Sequence, residues 1–207
     1  RKPDFVWIKS TSSGSQWHNL QDSVRGAQKH LYSNAANAED TTATGFTDFI
    51  ENGYSLGSAN GFNAASSNYI AWCWKMLDNN NDNAELNEVG TIVSLNSLAG
   101  QSITTYTGNG TQNATVGNGF NTQAKLVIIK NRDQGDAWFV GSPELGTNQF
   151  MELNENTAKT TNSDLNYTIN STTMQFTSAS PHHMFNASGE RYVMYSFHNI
   201  TNYQKIG

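Results

Sequence analysis

The sequence predicts an all-β chain of two tandem β-sandwich units, jelly-roll-like in their succession of short strands and turns. Three observations predict it. A phrase written FNAASSNYIAWCWKM from Phe62 to Met76 returns as FNASGERYVMYSFHN from Phe185 to Asn199. Short β-branched and aromatic runs, FVWI and LVII, stand between turn residues and read as buried strands. Asn, Ser and Thr make up 68 of the 207 residues while only 14% are charged, a composition suited to many tight turns between short strands.

The elements follow in the same order twice. The first unit opens on DFVWIK (Asp4 to Lys9) and the second on KLVIIK (Lys125 to Lys130). From that lysine, glycine follows five residues on (Gly14, Gly135) and tryptophan eight residues on (Trp17, Trp138). SVRG then ends at Gly26 and PELG at Gly146; a short turn of helix has room between Leu20 and His30 before SVRG breaks it. LYSNAANAE from Leu31 matches MELNENTAK from Met151, sharing Asn34 with Asn154 and Ala38 with Ala158. GYSL (Gly53 to Leu56) and TMQF (Thr173 to Phe176) precede the repeated phrase. Agreement in order and spacing over about 70 positions implies a duplication, with Trp17 expected over Trp138 and Tyr69 over Tyr192.

Each repeated phrase is a turn and a strand. Asn tolerates the left-handed backbone that a tight turn needs, and side chains on the strand alternate between faces. Ile70, Trp72 and Trp74 share one face, matched by Val193, Tyr195 and Phe197, and this is the expected core face. The expected structural core includes Trp7, Tyr69, Trp72, Trp74, Tyr192, Tyr195 and Phe197. Cys73 is the single cysteine and reads as a small buried hydrophobe. The boundaries are a first unit at 1–76, an Asn-rich linker at 77–99, a second unit at 100–200, and the start of a further unit at 201–207. A leader, Gln101 to Phe120, precedes the second unit and has no counterpart before the first. The chain therefore reads as a window on a longer repeat array. With 12 basic residues and three prolines, it has few of the gatekeepers that protect sheet edges. Other copies or neighbouring units are expected to cover those edges.

Charge and hydropathy exclude several classes. A net charge of −5 offers no basic stripe for nucleic acid, and no apolar run is long enough to span a membrane as a helix. No cofactor motif is present. Asp22, Asp40, Asp48, Glu51, Asp133, Asp136 and Glu144 lie on turn-rich segments and read as solvated carboxylates, with no G-x-S-x-G elbow beside them. DNNNDN (Asp78 to Asn83) spaces oxygen ligands like a calcium loop, but Asn83 stands where the loop needs Gly and Val89 where it needs Glu. His182 and His183 are adjacent, so on a strand they point to opposite faces. Neither constellation supports a metal. Trp17, His18 and Trp138 sit among Gly, Asn, Gln and Asp, the surroundings in which an aromatic stacks on a sugar while amides bind its hydroxyls; packing within the core is the competing reading. Arg25 reads as a buried partner of Asp22 or Asp4.

Carried by PDFVWIK, DSVRG, YSNAANAED, GYSLGS, FNAASSNYIAWCWK, ITTYTGNGT with ATVGNGF, and KLVIIKNR, the sequence resembles a tandem domain of unknown function from long virion proteins of marine tailed phages, cyanophages and pelagiphages among them. The resemblance covers nearly the whole chain. It implies a non-enzymatic structural, adhesin or tail-fibre-like role on a virion, outside the cell, with other copies or other virion proteins as partners. It supplies no catalytic residues. The second unit departs from it, with SPELG for DSVRG and VMYSFH for IAWCWK. A carbohydrate-binding module for host surface polysaccharide is the alternative expectation, and a glycan-degrading enzyme the third.

Overall fold

The computed structural model describes residues 1–77 and 92–207, with the side chains of 92–94 excepted. The expected calcium-like loop at Asp78 to Asn83, with Val89, lies outside the described residues. The chain is all-β. Its first half runs β1 (Phe5–Ser10), β2 (Asn19–Asp22), β3 (Lys29–Tyr32), β4 (Asp40–Thr41), a hairpin of β5 (Phe46–Ile50) and β6 (Gly53–Leu56), one helical turn α1 (Asn60–Asn63), and β7 (Tyr69–Trp74). The second half runs β8 (Ile92–Asn96), β9 (Gln101–Thr107), β10 (Ala114–Gly117), β11 (Leu126–Asn131), β12 (Phe139–Gly141), β13 (Gln149–Glu152), β14 (Thr160–Thr161), β15 (Tyr167–Ile169), β16 (Thr173–Phe176) and β17 (Arg191–Phe197). A 3-10 turn at Ser163–Leu165 leads into β15.

The strands form four sheets: β4-β3-β2-β1-β7, β5-β6, β14-β13-β12-β11-β17-β9-β8, and β10-β16-β15. Three apolar clusters lie between them as layers. Val6 and Ile8 on β1 pack with Phe46, Phe49 and Phe62 under the hairpin and α1. The opposite face, with Phe5, Leu20 and Leu31, packs on Ile103, Val193 and Tyr195 of the seven-stranded sheet and on Trp138, which immediately precedes β12. That sheet's other face, with Val127, Ile129, Tyr192 and Met194, closes on Val116, Met174, Phe176 and Phe185. The central strands β1 and β11 of the two large sheets are thus covered on both faces, which is why they read as unbroken apolar runs rather than alternating ones.

The orders β4-β3-β2-β1-β7 and β14-β13-β12-β11-β17 are the same. Local chemistry matches as well. The Tyr69 hydroxyl accepts from the Ala64 amide at 3.0 Å and donates to the Asn60 carbonyl, while that of Tyr192 accepts from Ala187 at 2.9 Å and donates to His183. Lys9 donates to the carbonyls of Ser10 and Ser13, and Lys130 to those of Asn131 and Gln134. In each half one tyrosine closes the turn that precedes the last strand, and one lysine ties the loop that follows β1 or β11.

Four expectations are corrected. Leu20 to His30 holds no helix but the facing strands β2 and β3, because Asp22 accepts from the amides of Val24 and Arg25 and Gly26 turns the chain at φ 94°. The linker expected over 77–99 contains β8, which pairs with β9 along its whole length. Residues 201–207, read as the start of a further unit, lie against the second half, where Gln204 donates to the carbonyls of Gly100 and His198; this leaves that reading as it stood. Trp138 does not take the place of Trp17. Ile8 pairs with Asn19 and Ile129 with Phe139, so Trp138 occupies the position of His18, and both backbone amides there bond an asparagine, Asn34 and Asn154. A one-residue slip moves a side chain to the other face.

The last correction concerns the core. Tyr192 and Tyr195 are buried, and Trp7, Tyr69, Trp74 and Phe197 half-buried, but Trp72 is 41% exposed, Ile70 40%, and Cys73 also exposed. β17 lies between β11 and β9, whereas β7 has a described neighbour only in β1. The face shared by Val193, Tyr195 and Phe197 is a packing face, as expected, yet it packs against the other half instead of filling its own.

Candidate functional site

The strongest concentration of buried charge lies where the two halves meet. Asp22 ends β2, and the turn after it brings Arg25 back so that both its amide and its guanidinium Nε donate to the Asp22 carboxylate. The remaining guanidinium hydrogens are taken by Glu39 at 3.1 Å, the carbonyls of Lys29 and Leu20, and the Tyr195 hydroxyl at 3.4 Å. All five donors of the fork are thereby engaged. Tyr195, from β17, donates to Asp22 Oδ2 at 2.7 Å. Glu39 holds Arg132 from the second half in a bidentate pair, both contacts at 2.9 Å, and its amide donates to the Arg132 carbonyl.

Electrostatics follow the geometry. Burial works to lower the Arg25 pKa, but Asp22, Tyr195 and Glu39 together raise it. Burial would raise Glu39, and the bonds from Arg132 and Arg25 bring it below its ordinary value. Burial, with the Asp22 charge alongside, lifts the Tyr195 phenol well above its usual range. A carboxylate whose folded pKa is depressed contributes stability that is complete above its unfolded value and is lost as pH falls through the folded one. The Glu39 contribution should therefore be whole above about pH 4.5 and fade below it. Glu39→Gln should lower stability at neutral pH and flatten the acid limb of a stability-versus-pH curve. An unchanged acid limb would mean that other groups set it.

The surface aromatics separate. Trp17 is 43% exposed, its ring 4.5 Å from that of Tyr32, whose hydroxyl donates to Asp40. Beside it is a shallow depression of about 320 Å³ lined by Gln16, Asn19, Tyr32, Thr42 and Gly61. His18 turns inward, accepting from the Trp7 indole at 3.0 Å, and burial followed by the charge of Lys9 lowers its pKa. Trp138 is 0% exposed, its indole donating to the carbonyls of Tyr32 and Ala35. It cannot meet a sugar; as a glycan contact it is withdrawn. Of the three expected contacts only Trp17 presents a face to solvent.

A third constellation joins Asp136, His183 and Glu190, whose ligand atoms lie within 4.8 Å of one another. Asn131 organises it. Its Oδ1 accepts from the amides of Asp133 and Gln134, which fixes the carboxamide so that Nδ2 donates to Asp136, Glu190 and the His183 carbonyl. An amide donor therefore occupies the middle of the acidic group. His182 points elsewhere, accepting from the Met184 amide. Of the other expected carboxylates, Asp133 pairs with Arg191, and Asp40, Asp48, Glu51 and Glu144 are exposed.

The sequence offered Arg25 either Asp22 or Asp4, of which Asp22 is its partner and Asp4 pairs with Lys75; it missed Glu39, Arg132 and Tyr195. The available signal was scarcity: in a chain this poor in charge, an ionised residue at the end of an apolar strand, such as Arg132 after KLVIIKN, calls for a partner. Compared with known families, residues 1–207 match the one described as a domain of unknown function (DUF7483). No curated protein matches, and no solved structure does.

Proposed function

We propose, for a chain that belongs to the DUF7483 domain family, a non-enzymatic structural role built on two duplicated β-sandwich units. The observation that carries this reading is the Asp22–Arg25–Glu39–Arg132 network, which joins the halves with every guanidinium donor of Arg25 engaged inside the molecule. Such a constellation holds a shape: the Arg25 fork has no proton left over for a substrate. The common strand order and the matched Tyr69/Tyr192 and Lys9/Lys130 bonds support the duplication. The setting, a fibre, adhesin or surface component of a tailed-phage virion, comes from the sequence resemblance.

A second reading, attachment to host surface polysaccharide, is favoured by Trp17 alone: an exposed indole on a polar depression offers one sugar ring an apolar face and nearby amides. A glycan array with the chain and its Trp17→Ala variant tests both. The structural role predicts no retained glycan and no difference between the proteins. Selective binding that disappears in the variant, with stability changed by less than about 0.5 kcal/mol, would replace it with the second.

A further inference from the structure

The seven-stranded sheet exceeds its five-stranded counterpart by β9 and β8, and the three-stranded sheet exceeds the β5-β6 hairpin by β10. These additions belong together. β9 pairs with β17 from Gln101 to Thr107, and β10 pairs with β16 from Ala114 to Gly117. The connection between them is clamped on the turn before β17: Asn186 accepts from the Asn109 amide and donates to the Thr111 carbonyl, and the Tyr106 hydroxyl donates to the Phe185 carbonyl. One segment thus covers two edges at once.

The first half has the same receiving parts, and none of the described residues lies on them as such a segment. β7 and β6 correspond to β17 and β16 in strand order, and neither pairs with a further strand among the described residues. Burial records the difference. β17 is buried from Tyr192 to Ser196, while β7 is exposed from Ile70 to Cys73; Asn186 is buried and its counterpart Asn63 exposed. β7 reads YIAWCW, with no charge, proline or bulge to discourage pairing. We propose that the adjoining edges of β7 and β6 are a docking site for an extended segment of the β9–β10 pattern, donated by a partner polypeptide. It would be an uncharged, Ser/Thr-rich strand of about seven residues, a Gly-Asn turn and a shorter strand, added to both sheets by β-augmentation. This rests on the duplication reading above. A copy of the chain pairing through its own β7 fits less well, because it would leave β6 uncovered.

Cys73 provides the readout, being the single cysteine and exposed on β7. A synthetic peptide of residues 101–117, saturating the whole chain, should slow alkylation of Cys73 by about tenfold and protect amides of β6 and β7 from hydrogen exchange. The same peptide with Tyr106→Asp should do neither. No protection by the parent peptide would overturn the docking. Slow alkylation that instead tracks protein concentration without peptide would overturn it too, in favour of pairing between copies. Protection of amides away from β6 and β7 would point to failure of the duplication reading itself.

Discussion

Arg25→Met should destabilise the chain by about 3–5 kcal/mol, the range for removing one partner of a buried ion pair. Methionine nearly matches the length of the stem but brings no donor. Asp22 and Glu39 would remain at 0% and 4% side-chain exposure, and the carbonyls of Leu20 and Lys29 would lose a partner. Asp22 keeps the Tyr195 hydroxyl and two turn amides, and Glu39 keeps Arg132, so the loss should stay within that range rather than exceed it. Arg25→Lys restores the charge without the fork. One ammonium cannot reach Asp22, Glu39, Leu20 and Tyr195 together, and recovery should be partial. Because the network spans both halves, the loss should appear as a shift of one cooperative urea transition. A cost below about 1 kcal/mol, typical of exposed pairs, would show that the network is not what joins them.

What the sequence made legible was local or repeated. FVWI and LVII announce strands because both faces of each are buried, and Tyr69 and Tyr192 fall into register because the turn that each closes is written in adjacent residues. Asp22 could be offered to Arg25, beside Asp4, for the same reason, since it stands three residues away. Long-range facts were not. Glu39 and Arg132 stand 93 residues apart, and nothing near either names the other. Equal spacing from lysine to tryptophan in both halves suggested that Trp17 and Trp138 correspond, but strand pairing, not loop length, sets the facing, and it differs by one residue. The exposure of Trp72 was hidden because an edge is a property of the neighbour. The residues of β7 would read the same beside a strand or beside water.

That distinction makes the tryptophans a direct test. Trp138→Ala should cost about 3–5 kcal/mol, as large-to-small truncation of a buried aromatic does. It would open a cavity between the two large sheets, where Trp138 packs with Tyr195, and leave the Tyr32 and Ala35 carbonyls without the indole donor. Trp138→Phe keeps most of the volume and loses that donor, so roughly 1–3 kcal/mol should remain. Trp72→Ala removes a ring already 41% exposed, whose described aromatic contact is an edge-on approach to Trp7 at 5.7 Å; such a contact contributes about 0.5–1.5 kcal/mol. Urea midpoints for the three variants therefore should rank Trp138→Ala lowest and Trp72→Ala closest to the parent. With the 101–117 peptide bound, the Trp72 ring gains a strand beside it, and its truncation should become more costly. If Trp72→Ala were as damaging as Trp138→Ala in the chain alone, β7 would not be an open edge.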